Sequence, residues 1–211
     1  MKEFDALLEV AQKLIGPGGC PWDQEQTFSS LQPFVLEECH EVIEAVDHNE
    51  DHKIVEELGD LLYTIVFYGK LGEKQGRFSM EEIVKSIREK LIRRHPHVFS
   101  DLKINGVEDV LDNWEKIKKQ EKPHEKRESA LDGIPPTLPT LIKAQKVVKK
   151  LVRAEFPELA KQERETLNEA QAAEMLMSLI LQSEASGIDL ESALRRVLQG
   201  YEKRFREWES Q

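Results

Sequence analysis

Two pairs of acidic residues carry the most chemical information in this chain: Glu38 with Glu41, and Glu57 with Asp60. Residues three apart on a helix share a face, so each pair aims two carboxylates at one place. The stretches that hold them, LEECHEVIEAV (36–46) and VEELGDLLYTIVFY (55–68), otherwise read as apolar helix. In the second, Leu58, Leu61, Leu62, Ile65, Val66 and Phe67 predict a helix buried nearly all round. A buried carboxylate is costly without a compensating cation, and four that converge repel one another. Hard divalent ions resolve both difficulties. Magnesium takes oxygen ligands and keeps waters and substrate phosphates in its shell, and manganese accepts the same donors. The chemistry this predicts is metal-assisted attack of water on phosphorus.

Blander readings compete with it. In the first acidic stretch Val35, Leu36, Cys39, Val42, Ile43 and Val46 form the apolar stripe, Glu37, Glu41 and Glu44 lie opposite, and Glu38 sits at the boundary. Taken alone, that is a solvated acidic face. The second stretch tips the balance, because Glu57 and Asp60 have few polar neighbours. Glu37 and His40 form one E-x-x-H element of the kind that di-iron bundles use twice. The facing acidic cluster is E-x-x-D instead, and oxygen-only ligation favours magnesium or manganese over iron. Lys90, Arg93 and Arg94 share one predicted helix, and Lys116 and Lys118 follow Trp114; singly each reads as a solvated cation. Trp114 is either a packed anchor or a stacking surface for a base. His95 and His97 are expected to cap a helix end, where a cation suits the dipole. The GPGG run (16–19) lacks the following Lys-Ser/Thr of a P-loop.

The elements that must position these groups are all helical. Apolar periodicity predicts helices over 3–15, from about Thr27 or Ser29/Ser30 to Val46 with Pro33 in the first turn, and from about Lys53 to Leu71 with Gly72 as the stop. Ser79 and Glu82 fit a capping box for a helix over 80–94. HPHVF (95–99) stops that helix, and another runs over 107–122. No stretch alternates like a strand, so the fold class is all-α. The expected organisation is a helical domain over 1–122, a linker over 123–135 and a second helical domain over 136–211. The second resembles a degenerate copy of the first. Its apolar helix over 172–182 matches 59–69, and Gln171 and Glu174 fall where Glu57 and Asp60 stand.

Composition narrows the function classes. A net charge of −10 argues against a protein that wraps a nucleic acid polymer through a broad basic surface. Cys20 and Cys39 make no metal-ligand spacing, and a reducing, cytoplasmic setting is the default. No apolar run nears membrane-spanning length, so no membrane partner is expected.

GCPWD (19–23), EQTF (25–28), LEE (36–38), ELGDLL (57–62), RRHPHVF (93–99) and SALDGIP (129–135) together resemble the MazG family of all-α nucleoside triphosphate pyrophosphohydrolases. The similarity is strongest to about residue 146. It implies magnesium-dependent conversion of an NTP to NMP and pyrophosphate, for house-cleaning or pool control. It also implies that Glu38, Glu41, Glu57 and Asp60 ligate metal and that Glu37 or Glu41 activates water. Glu37, Lys53, Glu56, Lys90, Arg94, Trp114 and Lys118 fall where family members contact nucleotide. Phe34 departs from the pattern, since some relatives place a lysine there. The resemblance further implies a homodimer with only the first domain active. A narrower dUTP, dCTP or phosphoribosyl-ATP pyrophosphatase and a non-catalytic nucleotide-binding module are the alternatives.

Overall fold

The computed structural model describes residues 2–121, 128–160 and 166–210, without the side chains of Lys119 and Ala160. Among these residues every regular element is a helix: α1 (Lys2–Ile15), α2 (Pro21–Glu25), α3 (Gln32–Asp47), α4 (Asp51–Lys74), α5 (Met80–Arg94), α6 (Pro96–Phe99), α7 (Val107–Lys119), α8 (Thr140–Arg153), α9 (Pro157–Ala160), α10 (Glu169–Ala185) and α11 (Leu190–Glu209). The chain divides into two compact units, Met1–Lys118 and Lys119–Gln211. Residues 123–127 of the expected linker lie outside the described residues.

In the first unit α4 is the spine, packed along α1, α3 and α5. Its second half supplies the core: Thr64, Val66, Phe67, Gly69, Leu71 and Gly72 are buried. Ile15, Leu31, Phe67 and Leu71 form one cluster, flanked by Phe28, Phe34, Tyr63 and Tyr68. Ala11, Val66 and Met80 form another, with Phe4, Leu7, Leu8 and Ile83. The α3–α4 pair is an antiparallel hairpin turned through Asn49 in the left-handed region (φ 55°), and Glu50 N–H donates to Ala45 C=O at 3.2 Å. The capping box forms as expected: Glu82 N–H donates to Ser79 Oγ, and Ser79 N–H to the Glu82 carboxylate.

Two expectations fail in instructive ways. Neither Thr27 nor Ser29/Ser30 caps α3, whose N-cap is Leu31. Thr27 and Ser30 instead satisfy each other, each backbone N–H donating to the other's hydroxyl. The helix carrying Glu57 and Asp60 is not buried all round. Leu58, Leu62 and Ile65 are exposed, as are Leu36, Ile43 and Val46 on α3. The reason is packing: α1 and α5 pack on α4, whose buried residues all lie at Thr64 or beyond.

The second unit has its own core of Leu131, Val147, Leu151, Phe156, Leu159, Leu198 and Phe205. Leu131 comes from the stretch expected as linker. Hydrogen bonds from Ala130 N–H to Glu209 and a 2.8 Å ion pair of Arg206 with Asp132 clip that stretch to α11. Along α10 the sole described buried residue is Ser183.

Gly72 shows how close the spine is to its neighbours. A Cβ there would lie 2.6 Å from the Phe78 ring carbon Cδ2 and 2.8 Å from its carbonyl oxygen, whereas one at Gly59 meets nothing within 4 Å. Gly72→Ala is expected to destabilise the protein by about 1–3 kcal/mol through overpacking. Gly59→Ala should stabilise it by roughly 0.5–1 kcal/mol through helix propensity. Denaturant unfolding of the two variants checks the opposite signs.

Candidate metal and nucleotide site

Antiparallel pairing of α3 with α4 brings the first acidic pair over the second. Glu38, Glu41 and Glu57 each present a carboxylate oxygen, and these oxygens lie within 4.8 Å of one another. All three side chains are half-buried. Asp60 stands apart from that group: it is exposed, and its side chain is one methylene shorter. The four acids therefore do not converge equally, although the Asp60 charge acts on both Glu38 and Glu57.

The electrostatics follow from this crowding. Desolvation is the largest cause raising the Glu38 pKa above its ordinary value, followed by the charges of Glu41, Asp60, Glu57 and Glu37. Glu57 is raised in the same way, by desolvation first and then by Glu41, Glu56 and Asp60, with Lys53 opposing. Glu38 Oε2 is buried and makes no hydrogen bond. An orphaned carboxylate oxygen beside two like-charged groups fits a hard divalent cation, which would satisfy the oxygen and cancel the repulsion.

The remaining expected residues fall into two places. Glu37 and Glu56 are exposed beside the acids and act on Glu38 and Glu57 respectively. Lys53 pairs with Glu50 at 2.8 Å at the hairpin turn. The second group gathers where α5, α6 and α7 meet. The Arg94 guanidinium lies 5.2 Å from the Trp114 ring centre, and the His95 ring meets that indole edge-on at 5.0 Å. Of the two histidines expected to cap the helix end, His95 places Nδ1 2.6 Å from Leu91 C=O, whereas the buried His97 Nδ1 makes no hydrogen bond. Lys90 is one turn before Arg94 on α5, and Lys118 is 3.6 Å from Glu115. α5 meets α4 where Met80 and Ile83 lie beside Gly69.

Sequence reasoning missed Trp22 and Tyr63. Trp22 lies edge-on to Phe34, with ring centres 5.6 Å apart. Tyr63 Oη donates to the buried Asp23 carboxylate at 3.4 Å, and burial together with that charge pushes its pKa up to about 12. The unusual GCPWD composition was the available signal.

Residues 26–99 match the model of the MazG nucleotide pyrophosphohydrolase domain, which spans α3, α4 and α5 entire. The nucleoside triphosphate pyrophosphohydrolase of Escherichia coli (strain K12) is 36% identical over 99% of this chain and 88% of its own length. This chain belongs to the MazG family. The uncharacterized protein YabN of Bacillus subtilis (strain 168) is 46% identical over 70% of this chain, although the match takes in only 30% of YabN. The crystal structure of a mazG-related protein from Thermotoga maritima covers 55% of this chain and 99% of its own, with 28% identity and a TM-score of 0.49.

The raised carboxylates of this MazG chain set a pH dependence. A group whose pKa is higher folded than unfolded takes up protons on folding. The metal-free protein therefore loses stability as pH rises from the ordinary value of 4.5 through the raised values of Glu38 and Glu57. Glu38→Gln is expected to raise the melting temperature of the metal-free protein at neutral pH by about 2–4 °C. The same change should remove most of any stabilisation that a divalent cation gives the wild type. Thermal melts with chelator and with magnesium, across pH, check both.

Proposed function

We propose that this protein is a magnesium-dependent nucleoside triphosphate pyrophosphohydrolase that cleaves between the α and β phosphates and releases NMP and pyrophosphate. The observation that supports this reading best is the half-buried trio Glu38, Glu41 and Glu57 with an orphaned oxygen, in a chain of the MazG family. Glu38, Glu41, Glu57 and Asp60 would hold magnesium, or manganese in its place. Bound there, the metal supplies Lewis acidity toward the phosphate oxygens and lowers the pKa of water.

The chain's own residues do the rest. Glu37 or Glu41 orients the attacking water and takes its proton. Lys90, Arg94 and Lys118 neutralise phosphate charge, and Lys53 and Glu56 border the nucleotide at the hairpin turn. Trp114 belongs to the nucleotide-contacting set and holds the Arg94 guanidinium against its ring. The second unit is a degenerate copy without the acid quartet, and the activity belongs to the first.

We also propose that the protein works as a homodimer in which a second copy covers the α3–α4 hairpin. Leu36, Ile43, Val46, Val55, Leu58, Leu62 and Ile65 are exposed apolar side chains on these two helices, the kind of surface that a partner covers. No helix among the described residues is long and apolar enough to cross a membrane.

Turnover of NTPs with magnesium should yield NMP and pyrophosphate; NDP and phosphate as products would overturn the reading. Glu57→Gln and Asp60→Asn are expected to fold and to lose activity by about a hundredfold or more. A panel of canonical, damaged, uridine and cytidine triphosphates separates the broad reading from a narrower dUTP or dCTP enzyme. For the dimer, Leu62→Glu with Ile65→Glu should halve the mass in sedimentation; an unchanged mass, or a wild-type monomer, rules that interface out.

A further inference from the structure

Trp22 sits on α2 with 51% of its surface in solvent, a large exposure for a side chain that gains so much from burial. Its ring is nonetheless held. The indole lies edge-on to Phe34, with ring centres 5.6 Å apart and planes at 82°. The segment beneath it is tied down from several directions. Tyr63 Oη on α4 donates to Asp23, Lys74 Nζ donates to Gln24 C=O at 3.2 Å, and Gln24 Nε2 donates to Gly16 C=O at 2.8 Å. Asp23 itself is only 7% exposed. An exposed aromatic on a fixed base is preorganised for a flat partner.

Its position identifies that partner. Phe34 precedes Glu38 by four residues on α3, so the two share a face about 6 Å apart. Tyr63 follows Asp60 by three residues on α4. The aromatic pair therefore forms the layer of the hairpin next to the carboxylates, on the side toward the core. One helical turn is a span that a sugar can bridge between a phosphate and a base. Trp114 is already engaged, with Arg94 over its ring and His95 against it.

The geometry points to Trp22, backed by Phe34, as the surface on which the base of the bound nucleotide stacks while its phosphates lie toward Glu38, Glu41 and Glu57. This rests on the nucleotide-hydrolase reading above. It gives Phe34 a role in place of the lysine of some relatives: its edge sets the tilt of the indole. Stacking contributes through the π-face that every base has, so its loss weakens binding of the whole nucleotide and spares recognition of the phosphates.

The test uses the full chain and the variants Trp22→Ala, Trp22→Phe and Trp114→Phe. Trp22→Ala should raise KM for ATP about tenfold with kcat little changed, and Trp22→Phe should restore most of the loss. The inhibition constant of inorganic triphosphate, which has no base, should stay the same in both Trp22 variants. Binding of a non-hydrolysable ATP analogue should quench tryptophan fluorescence in the wild type and in Trp114→Phe, but not in Trp22→Phe. An unchanged KM in Trp22→Ala, or an equal loss of ATP and triphosphate affinity, overturns the stacking role. The quench reads the platform even where hydrolysis is absent, so a failure of the hydrolase reading is distinguishable from a failure of this one.

Discussion

Everything in the first unit follows from one tension: three carboxylates on facing helices are held within 4.8 Å of each other. Like charges at that separation push the helices apart, and partial removal from water strengthens the repulsion. What keeps the hairpin closed lies at its other end. The buried residues of α4 all come at or after Thr64, where Ile15, Leu31 and Ala11 pack against Phe67, Leu71 and Val66. The helix pair is thus divided along its length into a half that provides cohesion and a half that provides chemistry. A ligand that neutralises the second half adds its binding free energy to the stability of the whole unit.

That division explains which parts of the molecule were legible in the sequence. The helices were, because a 3.6-residue apolar period survives whatever covers it, and because Ser79 and Glu82 carry their capping geometry locally. The acidic trio was legible for the same local reason, since spacing along one helix decides which side chains share a face. Burial was not. The period marks Leu58, Leu62 and Ile65 as an apolar face but says nothing of what packs there, and these residues are exposed. That Asp60 stands exposed outside the trio was not legible, because spacing ignores the methylene that separates it from a glutamate. Trp22 was legible only as part of the GCPWD stretch that carries the family resemblance, since its contact with Phe34 depends on how α2 returns to α3.

The two units also show why an acid quartet is tied to a particular scaffold. In the first, α1 and α2 are followed by α3, a helix of 16 residues, before α4 begins. In the second, α8 and α9 lead to α10 through residues 161–168 alone, too little chain for a second helix of that length. Gln171, placed by sequence opposite Glu57, is instead committed to the start of α10, where it exchanges hydrogen bonds with Asn168. The second unit has a core around Val147, Leu151 and Phe205, together with an apolar α10 whose Met175, Met177, Leu179 and Leu181 face solvent.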